Sequence, residues 1–120
     1  MKNSLTLILI ASVLALTSCQ PKQVTLTNVS PNKQVNITVK AQHKAALDPW
    51  TVELDVKAYS FKEGHLKFEL QANDITDQSV KFNWQDDKTC LITFDQADGK
   101  PRLFKLLADS NQVQMGEVNL

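Results

Sequence analysis

Apolar and polar side chains alternate along four successive stretches of the chain. Val35, Ile37, Val39 and Ala41 are interleaved with Asn36, Thr38, Lys40 and Gln42, and Trp50, Val52, Leu54, Val56 and Ala58 with Thr51, Glu53, Asp55, Lys57 and Tyr59. Leu66, Phe68, Leu70 and Ala72 alternate with His65, Lys67, Glu69 and Gln71, and Val80, Phe82 and Trp84 with Ser79, Lys81, Asn83 and Gln85. A period of two places one set of side chains on each face of a strand, so each stretch predicts a half-buried β-strand. The breaks carry turn chemistry: Ser30-Pro31-Asn32, Asp48-Pro49, Lys62-Glu63-Gly64, Asn73-Asp74, Asp98-Gly99-Lys100-Pro101 and Asp109-Ser110-Asn111. No stretch after Cys19 sustains the three-four spacing of a helix.

Loop parity fixes which faces meet. A three-residue loop at Asp86-Asp87-Lys88 sets Trp84 opposite Cys90, Phe82 opposite Ile92 and Val80 opposite Phe94, with the largest side chains on one side. An even loop would flip one strand and expose side chains whose burial contributes about 1.5–3 kcal/mol each. The same test predicts an odd connection between Gln96 and Arg102, with Phe94 opposite Phe104, Ile92 opposite Leu106 and Lys105 outward. Val113 and Met115 indicate a short last strand. The expected fold is all-β, an antiparallel β-sandwich of seven or eight short strands, immunoglobulin-like or meander, with a small barrel as the alternative. A tight hairpin between the fifth and sixth strands argues against strict immunoglobulin order, which sends those two to opposite sheets.

The first residues obey another logic. Met1-Lys2-Asn3-Ser4 carries one positive side chain, Leu5 to Leu16 is apolar or small throughout, and Thr17 and Ser18 follow, the layout of a secretory signal. The apolar run falls short of the roughly 20 residues a transmembrane helix needs. With Cys19 directly after Leu16-Thr17-Ser18, the segment resembles the lipobox of bacterial lipoproteins. That resemblance covers residues 1–19 alone and implies a diacylglycerol on the Cys19 sulfur and cleavage just before it. The expected organisation is a signal peptide over 1–18, a lipidated tether over 19–23 and one sandwich domain over 24–120. Extended, Gln20 to Gln23 reaches roughly 14 Å at about 3.5 Å per residue, which keeps the domain close to a membrane.

Lipidation of Cys19 leaves Cys90 as the other cysteine, without an intramolecular partner, so a disulfide framework is excluded. Thirteen basic and 13 acidic residues give no net charge, and no Lys/Arg run occurs, which removes the field that nucleic acid would require. No cofactor is implied: neither zinc-type Cys/His spacing nor a glycine-rich phosphate loop is present.

Candidate chemistry is correspondingly sparse. Antiparallel meandering puts His43 and His65 at opposite ends, and Cys90, although at the end of His65, faces inward while His65 faces out, so no catalytic group is assigned. The loops bearing Asp48, Asp74 and Asp77, and Asp95 and Asp98 fall at one end, where hard oxygen ligands would suit calcium. The competing explanation is that aspartate is a turn residue, and Lys44, Lys100 and Arg102 are near in sequence to neutralise the group. Leu91, Leu103 and Leu107 lie on the face opposite Phe94 and Phe104, a candidate docking face unless another part of the domain, such as the Met115 segment, covers it. Trp50, in register with Val52 and Leu54, is expected in the core rather than exposed as a sugar platform.

Three functions follow. The first is a non-enzymatic, membrane-anchored cell-envelope lipoprotein, on the inner or outer membrane and facing periplasm or surface, that binds or scaffolds another envelope component. The second is a small inhibitor or sensor in the manner of lysozyme-inhibitor lipoproteins, although the Ser-Gly…Tyr loop and the disulfide of those proteins are missing. The third is a cation or small-ligand module built on the loop aspartates.

Overall fold

A computed structural model describes residues 22–45 and 47–119; Cys19 and the signal-like segment lie outside the described residues. Eight strands follow in order: β1 (Lys22–Val29), β2 (Val35–His43), β3 (Trp50–Ala58), β4 (Lys62–Leu70), β5 (Val80–Trp84), β6 (Thr89–Phe94), β7 (Arg102–Ala108) and β8 (Val113–Val118). They form two four-stranded antiparallel sheets, β1-β2-β3-β4 and β5-β6-β7-β8, each a plain meander. Of the two connectivities left open by the sequence, the meander is the one adopted.

The alternation decides the inner face. In β2 the apolar positions Val35, Ile37, Val39 and Ala41 are buried while Asn36, Lys40 and Gln42 are exposed. From β3, Trp50, Val52, Leu54, Val56 and Ala58 join them; from the second sheet come Val80, Cys90, Ile92, Phe94, Phe104, Leu106 and Ala108. Trp50 is buried, and its indole Nε1 donates to the Ala72 carbonyl at 3.1 Å, which satisfies the one polar atom that burial would strand. Four contacts bring the sheets face to face. Trp84 Nε1 on β5 donates to Asn28 Oδ1 on β1 at 2.7 Å. The Phe68 ring on β4 stacks on Phe104 at 4.3 Å and meets Phe94 edge-on at 5.2 Å. At Gly64 on β4, an added Cβ would collide with Val113 on β8 and stand 3.2 Å from Met115 Cε. β1 therefore overlies β5, and β4 closes onto β8.

The hairpin of β5 and β6 has the expected register, with Val80 opposite Phe94, Phe82 opposite Ile92 and Trp84 opposite Cys90. Gln85 N donates to Thr89 O at 2.9 Å, leaving Asp86-Asp87-Lys88 as the loop. Asp86 Oδ1 organises it by accepting from the backbone N–H of Lys88 at 2.8 Å and Thr89 at 2.7 Å. The next hairpin keeps the expected faces but slides by two residues, pairing Ile92 with Phe104 and Phe94 with Arg102. Asp95 N–H continues the β5–β6 ladder to Ser79 O at 3.0 Å, and Ala97 N–H, in the connection to β7, is taken by Gln71 O at 2.9 Å. An even slip preserves which side chains point inward, so the core is unchanged.

A second difference concerns Lys62-Glu63-Gly64, expected as a turn and found as the start of β4. The reversal is made one step earlier by Tyr59 and Ser60, at φ 55° and 67°, with Phe61 N donating to Ala58 O at 3.4 Å. Gly64 serves a different purpose, the close approach of β4 to Val113. β1 also begins at Lys22, opposite His43, with Gln23 opposite Gln42, so pairing takes in the last two residues of the expected tether.

Candidate functional site

Pairing of Lys22 with His43 places the start of β1 at the same end as the β2–β3 loop. Lys22 Nζ reaches Asp74 Oδ1 at 3.0 Å, and Ala97 N reaches Gln71 O, so the β4–β5 and β6–β7 connections share that end. The topological part of the aspartate argument is therefore met. The side chains nonetheless serve local ends. Asp74 Oδ1 also accepts the Ile75 N–H at 2.9 Å, and the hydrogen bond from Lys22, with that backbone bond, lowers its carboxyl below the usual range. Asp98 Oδ1 accepts the Lys100 N–H at 2.8 Å. Asp48, Asp77 and Asp95 are exposed. Among the described residues no group of three or more His, Cys, Asp or Glu side chains stands close enough to hold a metal ion.

Arg102 does not neutralise these loops. Its parity with Phe104 turns it toward the gap between the sheets, where Nε and Nη2 hold both Glu117 oxygens, at 2.9 and 2.7 Å, and Nη1 donates to Glu69 O at 2.5 Å. The guanidinium lies 5.0 Å from the Phe68 ring centre and 5.5 Å from that of Phe104. It caps the core and ties three strands.

At the same end a cleft of about 310 Å³ is lined by His43, Lys44, Asp48, Pro49, Gln23 and Gln42. His43 stacks on Trp50 at 3.9 Å, and its Nδ1 is buried with no hydrogen-bond partner. Asp48 N donates to Ala45 O at 3.1 Å, closing a turn that carries Leu47 outward, 96% exposed. No periodic pattern marks Leu47; its place just before Asp48-Pro49 is the available signal.

The second candidate region is the outer face of the second sheet. Leu91 lies opposite Lys105, Leu103 opposite Thr93 and Val118, and Leu107 opposite Thr89 and Gln114, so the three leucines form a diagonal run joined by Val118. All three are half-buried. The Met115 segment does not cover them: Met115 points inward, opposite Leu106 and near Gly64, and β8 extends the sheet edgewise.

Reactive groups elsewhere stay apart. Cys90 is buried, its thiol pushed up to about 11 by desolvation, and faces the core, whereas His65 stands on the outer face of the first sheet. There His65 Nδ1 meets Asp55 Oδ1 at 2.6 Å. The register places Asp55 between His65 and Thr38, so carboxylate separates imidazole from hydroxyl, whereas a nucleophile–base–carboxylate relay needs the imidazole in the middle. Comparison with protein-family models, curated proteins and solved structures gave no match.

Proposed function

We propose that the protein is a membrane-anchored, non-enzymatic lipoprotein of the cell envelope whose sandwich binds or scaffolds another envelope component. The observation that carries this reading is Leu16-Thr17-Ser18-Cys19 after an apolar run, followed within three residues by Lys22, the first residue of a folded sheet. Several acyl chains on Cys19 would hold the domain firmly, since each buried CH₂ contributes about 0.8 kcal/mol. The surface offered to a partner is the Leu91, Leu103 and Leu107 face.

Intact-mass measurement of protein purified from its host tests the anchor: the expected product starts at Cys19 and carries acyl mass. A product starting at Met1 without acyl mass overturns it. A photo-crosslinker at Lys105, compared with and without Leu103→Lys, tests the docking face: a crosslink that Leu103→Lys abolishes while folding persists supports it, and crosslinking indifferent to that change removes it.

A small-ligand role is the second reading, favoured by the cleft beside His43 and its unpartnered Nδ1. Calorimetric titration with calcium, which tests the aspartate loops, should give heat in the millimolar range if they bind cation; its absence removes the cation form of this reading.

A further inference from the structure

Two residues, Gln20 and Pro21, separate Cys19 from the first strand residue, Lys22, so the acylated sulfur's backbone lies within about 10 Å of Lys22 at roughly 3.5 Å per residue. Lys22 pairs with His43, and the β2–β3 loop follows directly. In that loop the Ala45–Asp48 turn holds Leu47 outward, 96% exposed, the most exposed of the large apolar side chains described. We infer that the β2–β3 loop is a second membrane contact, with Leu47 entering the bilayer interface beside the lipid anchor and the Phe61 tip pointing away from the membrane.

The inference rests on lipidation of Cys19, but the orientation comes from strand pairing. A domain hung from one end by so short a link keeps that end nearest the lipid. Phe61, 67% exposed at the β3–β4 turn, is the obvious rival apolar contact. β3 runs from Trp50 at the anchor end to Ala58, so Phe61 sits at the far end of the sheet, a strand of nine residues and about 30 Å away at roughly 3.4 Å per residue. Charge does not favour the anchor end. Lys22, Lys44 and Lys100 on the anchor end are outnumbered there by Asp48, Asp74, Asp77, Asp95 and Asp98, so attraction to anionic lipid does not drive the contact, which is apolar and interfacial, an exposed side chain at the headgroup boundary supplementing acyl chains.

The test uses the full-length acylated protein in vesicles of phosphatidylethanolamine and phosphatidylglycerol. Leu47→Cys and Phe61→Cys are each labelled with an environment-sensitive fluorophore; the Cys19 sulfur is occupied by lipid and Cys90 is buried. With spin-labelled lipid present, the position-47 probe is expected to shift blue and lose most of its emission, and the position-61 probe to keep both. Acylated protein whose position-47 probe stays bright, or whose position-61 probe is quenched instead, overturns the inference while the anchor stands. Protein whose intact mass shows no acyl group overturns the anchor and the orientation together.

Discussion

Arg102 and Glu117 face each other through two parallel hydrogen bonds, at 2.9 and 2.7 Å, on the inner side of β7 and β8. The same guanidinium donates to the Glu69 carbonyl of β4 and covers Phe68 and Phe104. One side chain thus closes the flank where the first sheet meets the second. Arg102→Ala is expected to lower stability by ~2 kcal/mol, the range for charge-assisted hydrogen bonds plus lost packing. Arg102→Lys should recover only a minor part, because a single ammonium cannot reproduce the planar fork. Urea unfolding followed by tryptophan fluorescence measures both; a lysine variant as stable as the parent would show that charge alone suffices.

The pair also gives stability a pH dependence. The Arg102 hydrogen bond holds the Glu117 carboxyl below its usual 4.5, so protonation in the folded state lags behind that in the unfolded chain. A depressed folded value contributes stability that is fully present above about pH 4.5 and fades as pH falls through the folded value. Glu117→Gln should therefore lie closest to the parent at pH 3 and furthest below it at pH 6 to 7. Melting temperatures of both proteins at the two pH values decide this; a gap that does not narrow in acid refutes it.

Much of this fold is legible in the chain because parity is a strong constraint. The alternation of β2 and β3 names every core residue they supply, and the burial of Trp84, Phe82 and Val80 against Cys90, Ile92 and Phe94 selects an odd loop and hence the observed register. Where two arrangements share parity, that argument is blind. The two-residue slide between β6 and β7 leaves the same faces inside, and the connection it leaves is held at Ala97 by the Gln71 carbonyl, distant in sequence. Gly64 misleads for a similar reason: a glycine reads as a turn locally, and only Val113, 49 positions later, explains it as a point of close approach. Arg102 reads as a loop cation until its inward parity and Glu117 are known. The candidate surfaces divide in the same way: the leucine face follows from parity, whereas Leu47 and the His43 cleft depend on loop conformation.

Gly64 supplies a direct test of that close approach. Gly64→Ala should destabilise by about 1–3 kcal/mol, the usual range for overpacking a filled site. Truncating the obstructing side chain in Gly64→Ala/Val113→Ala should cost less than the sum of the separate changes. Additive losses in chemical denaturation would mean that β4 and β8 do not meet at this point.

On the opposite flank, Asn28 shares the half-buried face of β1 with Val24 and Leu26, and it accepts the Trp84 indole N–H at 2.7 Å. Asn28→Ala leaves that donor without its acceptor and should cost about 1 kcal/mol, the low end of the range because Trp84 is only half-buried. In a Trp84→Phe background, where no donor remains, the same substitution should be nearly neutral. A double-mutant cycle with no coupling would detach β1 from β5 at this contact.

Cys90 tests the core from inside. Its thiol is buried opposite Leu106 and Trp84 and pushed up to about 11 by desolvation, so at pH 8 about one molecule in a thousand carries thiolate. The reactive form is thus scarce, and a bulky reagent also has no path to it without separating the sheets. Modification by a disulfide reagent at pH 8 should be far slower in the native protein than in urea, and its rate should rise with denaturant in step with the unfolded fraction. Rapid native-state labelling, insensitive to Arg102→Ala, would mean that the sulfur is reached from solvent and that the two sheets do not seal over β6.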